Sequence, residues 1–378
     1  MAEPLKAFFS PALVQNIGAS LARVHPAFPR QMFVRDATRG IEALELLDRA
    51  RHVARALAKH LPQRYPEAIS ILVASLGPEH DRDELTGAGM APFFYLPHTI
   101  FVAERGLDDF ERSMAAQREI TKRFTAEFSI RPFLDRYPER TLAVLDQWAM
   151  DPNPHVRRLV SEGTRPRLPW APRVAFLDKH PEAALPLLEK LKDDPTTLVR
   201  RSVANHLNDI GKAHPDLLVD TCRRWLDGAT PERCALIEHA LRSAVKRGLP
   251  GALELLGHGE PPRVAVEDVR FEPSKVAIGD RVRVSFALKS RAKKPQELLV
   301  DLAVHFVKAR GKTSAKVFKV SRVTLPARGR AELSKVISLA VHTTRTPYEG
   351  DHSVDVLVNG ARLPAGSFEV ISARERGE

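Results

Sequence analysis

Along the first two-thirds of the chain apolar residues recur every three or four positions, as in Ile41-x-x-Leu44-x-x-Leu47 and Val53-x-x-x-Leu57. That spacing lays one apolar stripe along a helix. Proline, glycine and Asp-Pro breaks punctuate these stretches, so the region from Ala2 to about His258 reads as a succession of helices. Past residues 249–262, a segment rich in glycine and proline, the period changes. Val264-Ala265-Val266, Arg281-Val282-Arg283-Val284-Ser285-Phe286, Val317-Phe318-Lys319-Val320 and Ser353-Val354-Asp355-Val356-Leu357-Val358 alternate or cluster β-branched residues between Gly-Asp, Asn-Gly and Ala-Arg-Gly turns.

The helical part repeats itself. Tyr137-Pro138-Glu139 returns as His180-Pro181-Glu182, Asp151-Pro152 as Asp194-Pro195, and Val156-Arg157-Arg158 as Val199-Arg200-Arg201, all at an offset of 43 residues. A period near 40–47 built from two helices predicts HEAT-like repeats stacked into a solenoid with a concave face. An earlier unit is read where Thr121-Lys122-Arg123-x-x-x-Glu127 parallels Val156-Arg157-Arg158-x-x-x-Glu162, and a looser one at His214-Pro215-Asp216. In the C-terminal part, about seven short strands in roughly 110 residues predict an immunoglobulin-like β-sandwich, without the paired cysteines of antibody domains. The expected fold is thus an all-α HEAT-like repeat solenoid over 1–258 followed by an all-β immunoglobulin-like sandwich over 263–374.

Charge narrows the partner. The chain carries a net +11 with pI near 9.8, and from Arg263 onward 22 lysines and arginines face 13 acids. Such an excess favours a polyanion, nucleic acid ahead of membrane because no basic amphipathic anchor is evident. The two cysteines, Cys222 and Cys234, have no Cys-x-x-Cys or Cys/His cluster around them, so neither a disulfide framework nor a zinc site is indicated. With no secretory pattern at the N-terminus and no stretch approaching 18 apolar residues, a cytoplasmic, soluble protein is expected.

The repeat register maps candidate chemistry. If equivalent positions line the concave face, Lys122-Arg123, Arg157-Arg158 and Arg200-Arg201 form a basic ladder suited to a phosphate backbone. Four residues beyond each pair stand Glu127, Glu162 and Asn205, with Asp209 one turn further. The alternative is that these arginines and glutamates tie neighbouring repeats, the arginines through Asp151 and Asp194. Carboxylates among phosphates make chemical sense if the ligand brings its own positive charge, as an alkylated base does: they stabilise an oxocarbenium-like sugar and orient water. Trp170 follows a stiff basic insertion, Thr164-Arg165-Pro166-Arg167-Leu168-Pro169, and its indole face suits a cation or a base. Two tempting signals fail. Gly311-Lys312-Thr313 ends like a phosphate loop, but Phe306 stands where the upstream glycine belongs. His80-Asp81-Arg82-Asp83-Glu84 reads as a solvated loop between Pro78 and Gly87, so no metal and no cofactor are expected, and no lysine stands out as a Schiff-base nucleophile.

The strings Gly106-Leu107-Asp108-Asp109-Phe110, Phe124-Thr125-Ala126-Glu127-Phe128-x-x-Arg131-Pro132-Phe133 and His155-Val156-Arg157-Arg158-Leu159-x-Ser161-Glu162-Gly163-x-Arg165-Pro166-x-x-Pro169-Trp170 resemble the AlkC branch of the AlkC/AlkD-like DNA alkylation repair glycosylases. The resemblance covers nearly the whole chain. It implies a HEAT-like fold with a C-terminal immunoglobulin-like domain. The implied activity is excision of 3-methyladenine and similar cationic bases from double-stranded DNA, with the lesion held against the concave face rather than flipped into a deep pocket. Glu162, Glu127, Asp209 and Trp170 would line the cleft, Glu162 foremost, and Arg158 would contact DNA beside it. Further DNA contacts are expected from Arg157, Arg123, Arg165, Arg167 and Arg201. In the sandwich, which would grip the duplex, they are expected from Arg291, Lys293, Lys294 and Arg345. A monomer is expected. The rival reading is a non-catalytic HEAT-repeat scaffold for DNA or protein.

Overall fold

The computed structural model of the protein describes residues 5–79, 91–341 and 346–372. Residues 80–84, read from the sequence as a solvated loop, and Arg345 lie outside the described residues. Among the described residues the first α-helices are α1 (Pro11–Val24), α2 (Arg30–Thr38), α3 (Leu46–His60), α4 (Tyr65–Ala74) and α5 (Leu96–Arg105). Then come α6 (Phe110–Thr121), α7 (Arg131–Arg136), α8 (Pro138–Trp148), α9 (Pro154–Gly163), α10 (Ala175–Lys179), α11 (Leu185–Leu191) and α12 (Thr197–Ile210). The last are α13 (Pro215–Leu226), α14 (Pro231–Lys246) and α15 (Pro250–Leu255). The chain falls into two compact units, Met1–Leu218 with Trp225–Ala240, and Val219–Arg224 with Leu241–Glu378. The second unit thus takes in the end of α14 and all of α15 as well as the strands.

In the first unit the recurring Asp-Pro landmark does two jobs. Asp151 accepts a hydrogen bond from Asn153 N at 2.8 Å, and Asn153 in turn caps α9 by accepting from His155 N at 2.9 Å, with Pro154 in the first turn. Asp194 repeats the turn ahead of α12, accepting from Thr196 N at 2.9 Å. Each aspartate also receives an arginine from the preceding repeat: Arg118 Nε lies 2.6 Å from Asp151, and Arg157 Nε 2.6 Å from Asp194. Burial would raise Asp194, but the bonds from Arg157 and Thr196 more than offset it and hold the carboxyl below its usual range. α12 packs along α9, and Val156, Leu159, Val160, Val199, Val203 and Leu207 are buried.

The second unit holds two sheets formed from β1 (Val264–Glu272), β2 (Lys275–Ala277), β3 (Arg281–Ser290), β4 (Gln296–Val307), β5 (Thr313–Leu325), β6 (Arg330–Ser338), β7 (Gly350–Val358) and β8 (Ala361–Ile371). Their orders are β1-β3-β6 and β2-β8-β7-β4-β5. All pairs are antiparallel except β2 with β8. Val282, Val284, Phe286 and Leu288 of β3 share one core with Leu298, Val300, Leu302, Val304 and Phe306 of β4. That is the period-2 pattern of a sandwich. The eighth strand is β2, three residues long, too short to show a period. Asn359 and Gly360, both at positive φ, make the β7–β8 turn. A Cβ on Gly360 would come within 2.7 Å of Gly248 Cα, so only glycine admits that approach. Gly311-Lys312-Thr313 leads into β5, not a helix.

Candidate active site

Three of the singled-out acids come together in the first unit, and each is separated from the next by a base. Glu127 Oε2 accepts from Arg158 Nη1 at 3.1 Å, and Arg158 Nη2 lies 3.7 Å from Glu162 Oε1. The same Oε1 accepts from Arg165 Nη1 at 2.5 Å, while Arg165 Nε and Nη2 each reach Asp209 Oδ2 at 2.8 Å. Lys212 Nζ closes the chain at 2.7 Å from Asp209 Oδ1. Glu162 and Asp209 are buried, 5% and 1% exposed. Burial would raise Glu162, yet Arg158, Arg165 and a hydrogen bond from Ser202 together keep its carboxyl below the usual range.

Glycine and a buried arginine assemble this cluster. Gly163 ends α9 where a Cβ would lie 2.7 Å from Ile130 Cγ2, so its bare backbone lets the 126–130 turn, and Glu127 with it, close on α9. Arg131, 1% exposed, donates to the carbonyls of Gly163 and Arg165 at 2.9 Å and of Pro172 at 2.8 Å. It thereby folds residues 163–172 into a fixed loop, and burial lowers its guanidinium to about 10. Within that loop Trp170 sits at φ 65 with 63% of its surface exposed. A positive φ is uncommon for a bulky residue and points to a position imposed by the surrounding loop.

Behind Glu162 runs a buried hydroxyl chain. Ser202 Oγ donates to Glu162 Oε2 at 2.6 Å, and Ser161 Oγ lies 2.6 Å from Ser202 Oγ and 3.1 Å from the carbonyl of Arg158. His206, fully buried beside them with Nδ1 2.9 Å from the Ser161 carbonyl, is pushed down to about 4 by desolvation. Ser202 and Asp209 stand seven residues apart on one face of α12, which is the sequence signal that would have found Ser202. Lys212 lies in the turn after α12, so the helical spacing does not reach it. His239, which bridges Arg201 at 3.0 Å and Asn205 at 3.1 Å, carries no such signal.

The basic ladder is only partly at the surface. Arg157 makes the tie to Asp194 and bonds the Asp151 and Pro152 carbonyls, the inter-repeat role that stood as the alternative to a DNA contact. Arg165, expected there too, lies inside the acid cluster with 9% exposure. Arg123 binds the carbonyl of Gly77 and the side chain of Glu119. Its unit also departs from the expected register. α6 ends at Thr121, Glu127 sits in a turn rather than on a helix, and the tie equivalent to Arg157 is made by Arg118. Arg167 and Arg201 are exposed, and Arg201 lines a groove of about 420 Å³ with Arg200 and His239. In the second unit Arg291, Lys293 and Lys294 are exposed between β3 and β4.

Residues 51–238 match the family described as DNA alkylation repair enzyme. The protein YhaZ of Bacillus subtilis (strain 168), described as uncharacterized, is 35% identical over 372 residues, 97% of this chain and 99% of its own. The chain belongs to the DNA alkylation repair enzyme family. Its strand region, residues 265–372, matches the C-terminal Ig-like domain described for YhaZ. The alkylpurine DNA glycosylase AlkC of Pseudomonas fluorescens, solved bound to DNA containing an abasic site analog, superposes with a TM-score of 0.89. It is 38% identical and covers 98% of this chain and 100% of its own. This member of the DNA alkylation repair family therefore has the AlkC architecture, helical repeats followed by an Ig-like domain. Among the described residues no helix is long and apolar enough to cross a membrane.

Proposed function

We propose that this protein is a monofunctional DNA glycosylase. It hydrolyses the N-glycosidic bond of cationic alkylated bases such as 3-methyladenine in duplex DNA, as a cytoplasmic monomer that opens base excision repair. The observation that carries the reading is the Glu127–Arg158–Glu162–Arg165–Asp209 chain, a set of converging carboxylates beside the loop that exposes Trp170. A base already positive leaves readily, so the protein's task is to stabilise the electron-poor sugar and direct water at it. Glu162 takes that role, with Glu127 and Asp209 sharing the field. Trp170 stacks on the lesion, and the base is held against this surface without full extrusion. Family membership and the match to AlkC support the class of reaction.

The test is to incubate the protein with methylated duplex DNA and identify released bases by chromatography with mass detection. Release of 3-methyladenine is expected. A protein that binds this DNA and frees no base is instead a scaffold whose acids serve as ties between repeats.

Arg167, Arg201 and the exposed Arg291, Lys293 and Lys294 are assigned to the DNA backbone, while Arg123 and Arg157 are left to the fold. Replacing Arg291, Lys293 and Lys294 together by alanine should weaken duplex binding and flatten the dependence of log Kd on log salt by up to about three. Excision at saturating DNA should change little. An unaltered salt slope removes this loop from the interface.

A further inference from the structure

The acid cluster is electrically balanced. Glu127, Glu162 and Asp209 are matched by Arg158, Arg165 and Lys212, so a cationic base arriving here meets carboxylates already neutralised. For the lesion to gain from them, one base must leave. Asp209 is gripped by both Arg165 and Lys212. Arg165 spans two acids at 2.5 and 2.8 Å from a loop that Arg131 holds by its carbonyls. Lys212, 36% exposed, pairs with Asp209, which Arg165 also holds, so its departure would leave Asp209 compensated and free neither Glu127 nor Glu162. Of the two arginines that meet Glu162, Arg158 is held less. Its guanidinium meets Glu127 at 3.1 Å and Glu162 at 3.7 Å, and among the described residues it has no carbonyl anchor of the kind that fixes its neighbour Arg157. It is also the most exposed of the arginines and acids in the chain, at 16% of its side chain.

We propose that Arg158 is a lesion-gated latch: when a cationic base enters, its guanidinium passes from Glu127 and Glu162 to a DNA phosphate and the two carboxylates take the lesion in its place. This rests on the glycosylase reading of the site. Ion pairs are conserved in the exchange, since the lesion replaces one cation and the phosphate gains it. A neutral base brings no replacement, and leaving two carboxylates uncompensated in a largely buried cluster is costly, so Arg158 stays where it is. Selection of charged over uncharged bases then comes from the protein's own ion pairs as well as from the lability of the lesion.

The test is salt-dependent binding of two duplexes that differ at one residue, a cationic pyrrolidine abasic analogue or a neutral tetrahydrofuran one. For the wild type, the slope of log Kd against log salt should be about one steeper on the pyrrolidine duplex, because only there does Arg158 reach a phosphate. In Arg158→Gln the two slopes should coincide, with thermal unfolding confirming that the variant is folded, and Arg158→Lys should restore part of the difference. Equal slopes in the wild type overturn the latch, and tighter binding of the pyrrolidine duplex by Arg158→Gln would then make Arg158 a fixed counter-ion. If the wild type does not prefer the pyrrolidine duplex at all, the carboxylates receive no cation and the glycosylase reading of the cleft falls with the latch.

Discussion

An Arg165→Met variant should lose about 3–5 kcal/mol of stability, the range found when one partner of a buried ion pair is removed. The side chain is 11% exposed and is shared by two carboxylates, Glu162 and Asp209, that are themselves almost fully buried. Methionine approximates its volume, so packing is roughly conserved and the loss reports the missing charge with its hydrogen bonds to Glu162 and Asp209. For a unit of this size the melting temperature should fall on the order of 10 °C. Lys212→Met is the matched control. Lys212 also meets Asp209, but with 36% of its side chain in solvent, and exposed pairs contribute about 0–1 kcal/mol. Thermal or urea unfolding of the two variants decides the matter, and an Arg165→Met protein within about 1 kcal/mol of the wild type would sink the view that this arginine holds the cluster together.

The pH dependence of that loss has a definite sign. In the wild type the Glu162 carboxyl is held below its usual range, so its contribution is complete above the unfolded value, about 4.3, and fades as the pH falls through the lower folded value. Without Arg165 the balance tips toward desolvation and the folded value rises. Glu162 then destabilises at neutral pH, and protonating it relieves the strain. The gap between variant and wild type should therefore be widest near neutrality and narrow on acidification. A gap that widens in acid contradicts the assignment.

How far the sequence reveals this cluster depends on the kind of contact. The Asp151 and Asp194 landmarks are visible because a turn cap needs an aspartate beside a fixed proline, and the requirement recurs 43 residues on. The strands show because β3 and β4 alternate, or run apolar, into one core. Glu127 falls out of register because the Lys122-Arg123 likeness belongs to a turn after α6, where no helical spacing applies. Its approach to α9 depends on the missing side chain of Gly163, a fact about space between segments rather than about order along the chain. The same limit hides the role of Arg165. Its pairing with Glu162 at three residues is a local signal, whereas its reach to Asp209 across 44 positions requires the loop that Arg131 folds. A repeat alignment therefore finds which acids recur and misses which bases stand between them.

Glu162→Gln should lower the rate of base release at least about 100-fold, the loss typical when one group stabilising a transition-state charge is removed, while leaving affinity for undamaged duplex near that of the wild type. The fold should tolerate the amide because the hydroxyl chain behind Glu162 is reversible. At present Ser202 donates to the carboxylate. An amide nitrogen would instead donate to Ser202 Oγ, Ser202 would turn its proton to Ser161, and Ser161 would use the Arg158 carbonyl that already lies 3.1 Å away. No buried hydroxyl is stranded, and the amide oxygen still receives Arg165. What disappears is the negative charge facing the sugar, together with its share of the attraction for a cationic lesion. Single-turnover excision measured beside duplex binding and thermal unfolding separates these effects. A variant that releases base at the wild-type rate would return Glu162 to the status of a tie between repeats, and the search for the group that stabilises the sugar would move to Glu127 and Asp209.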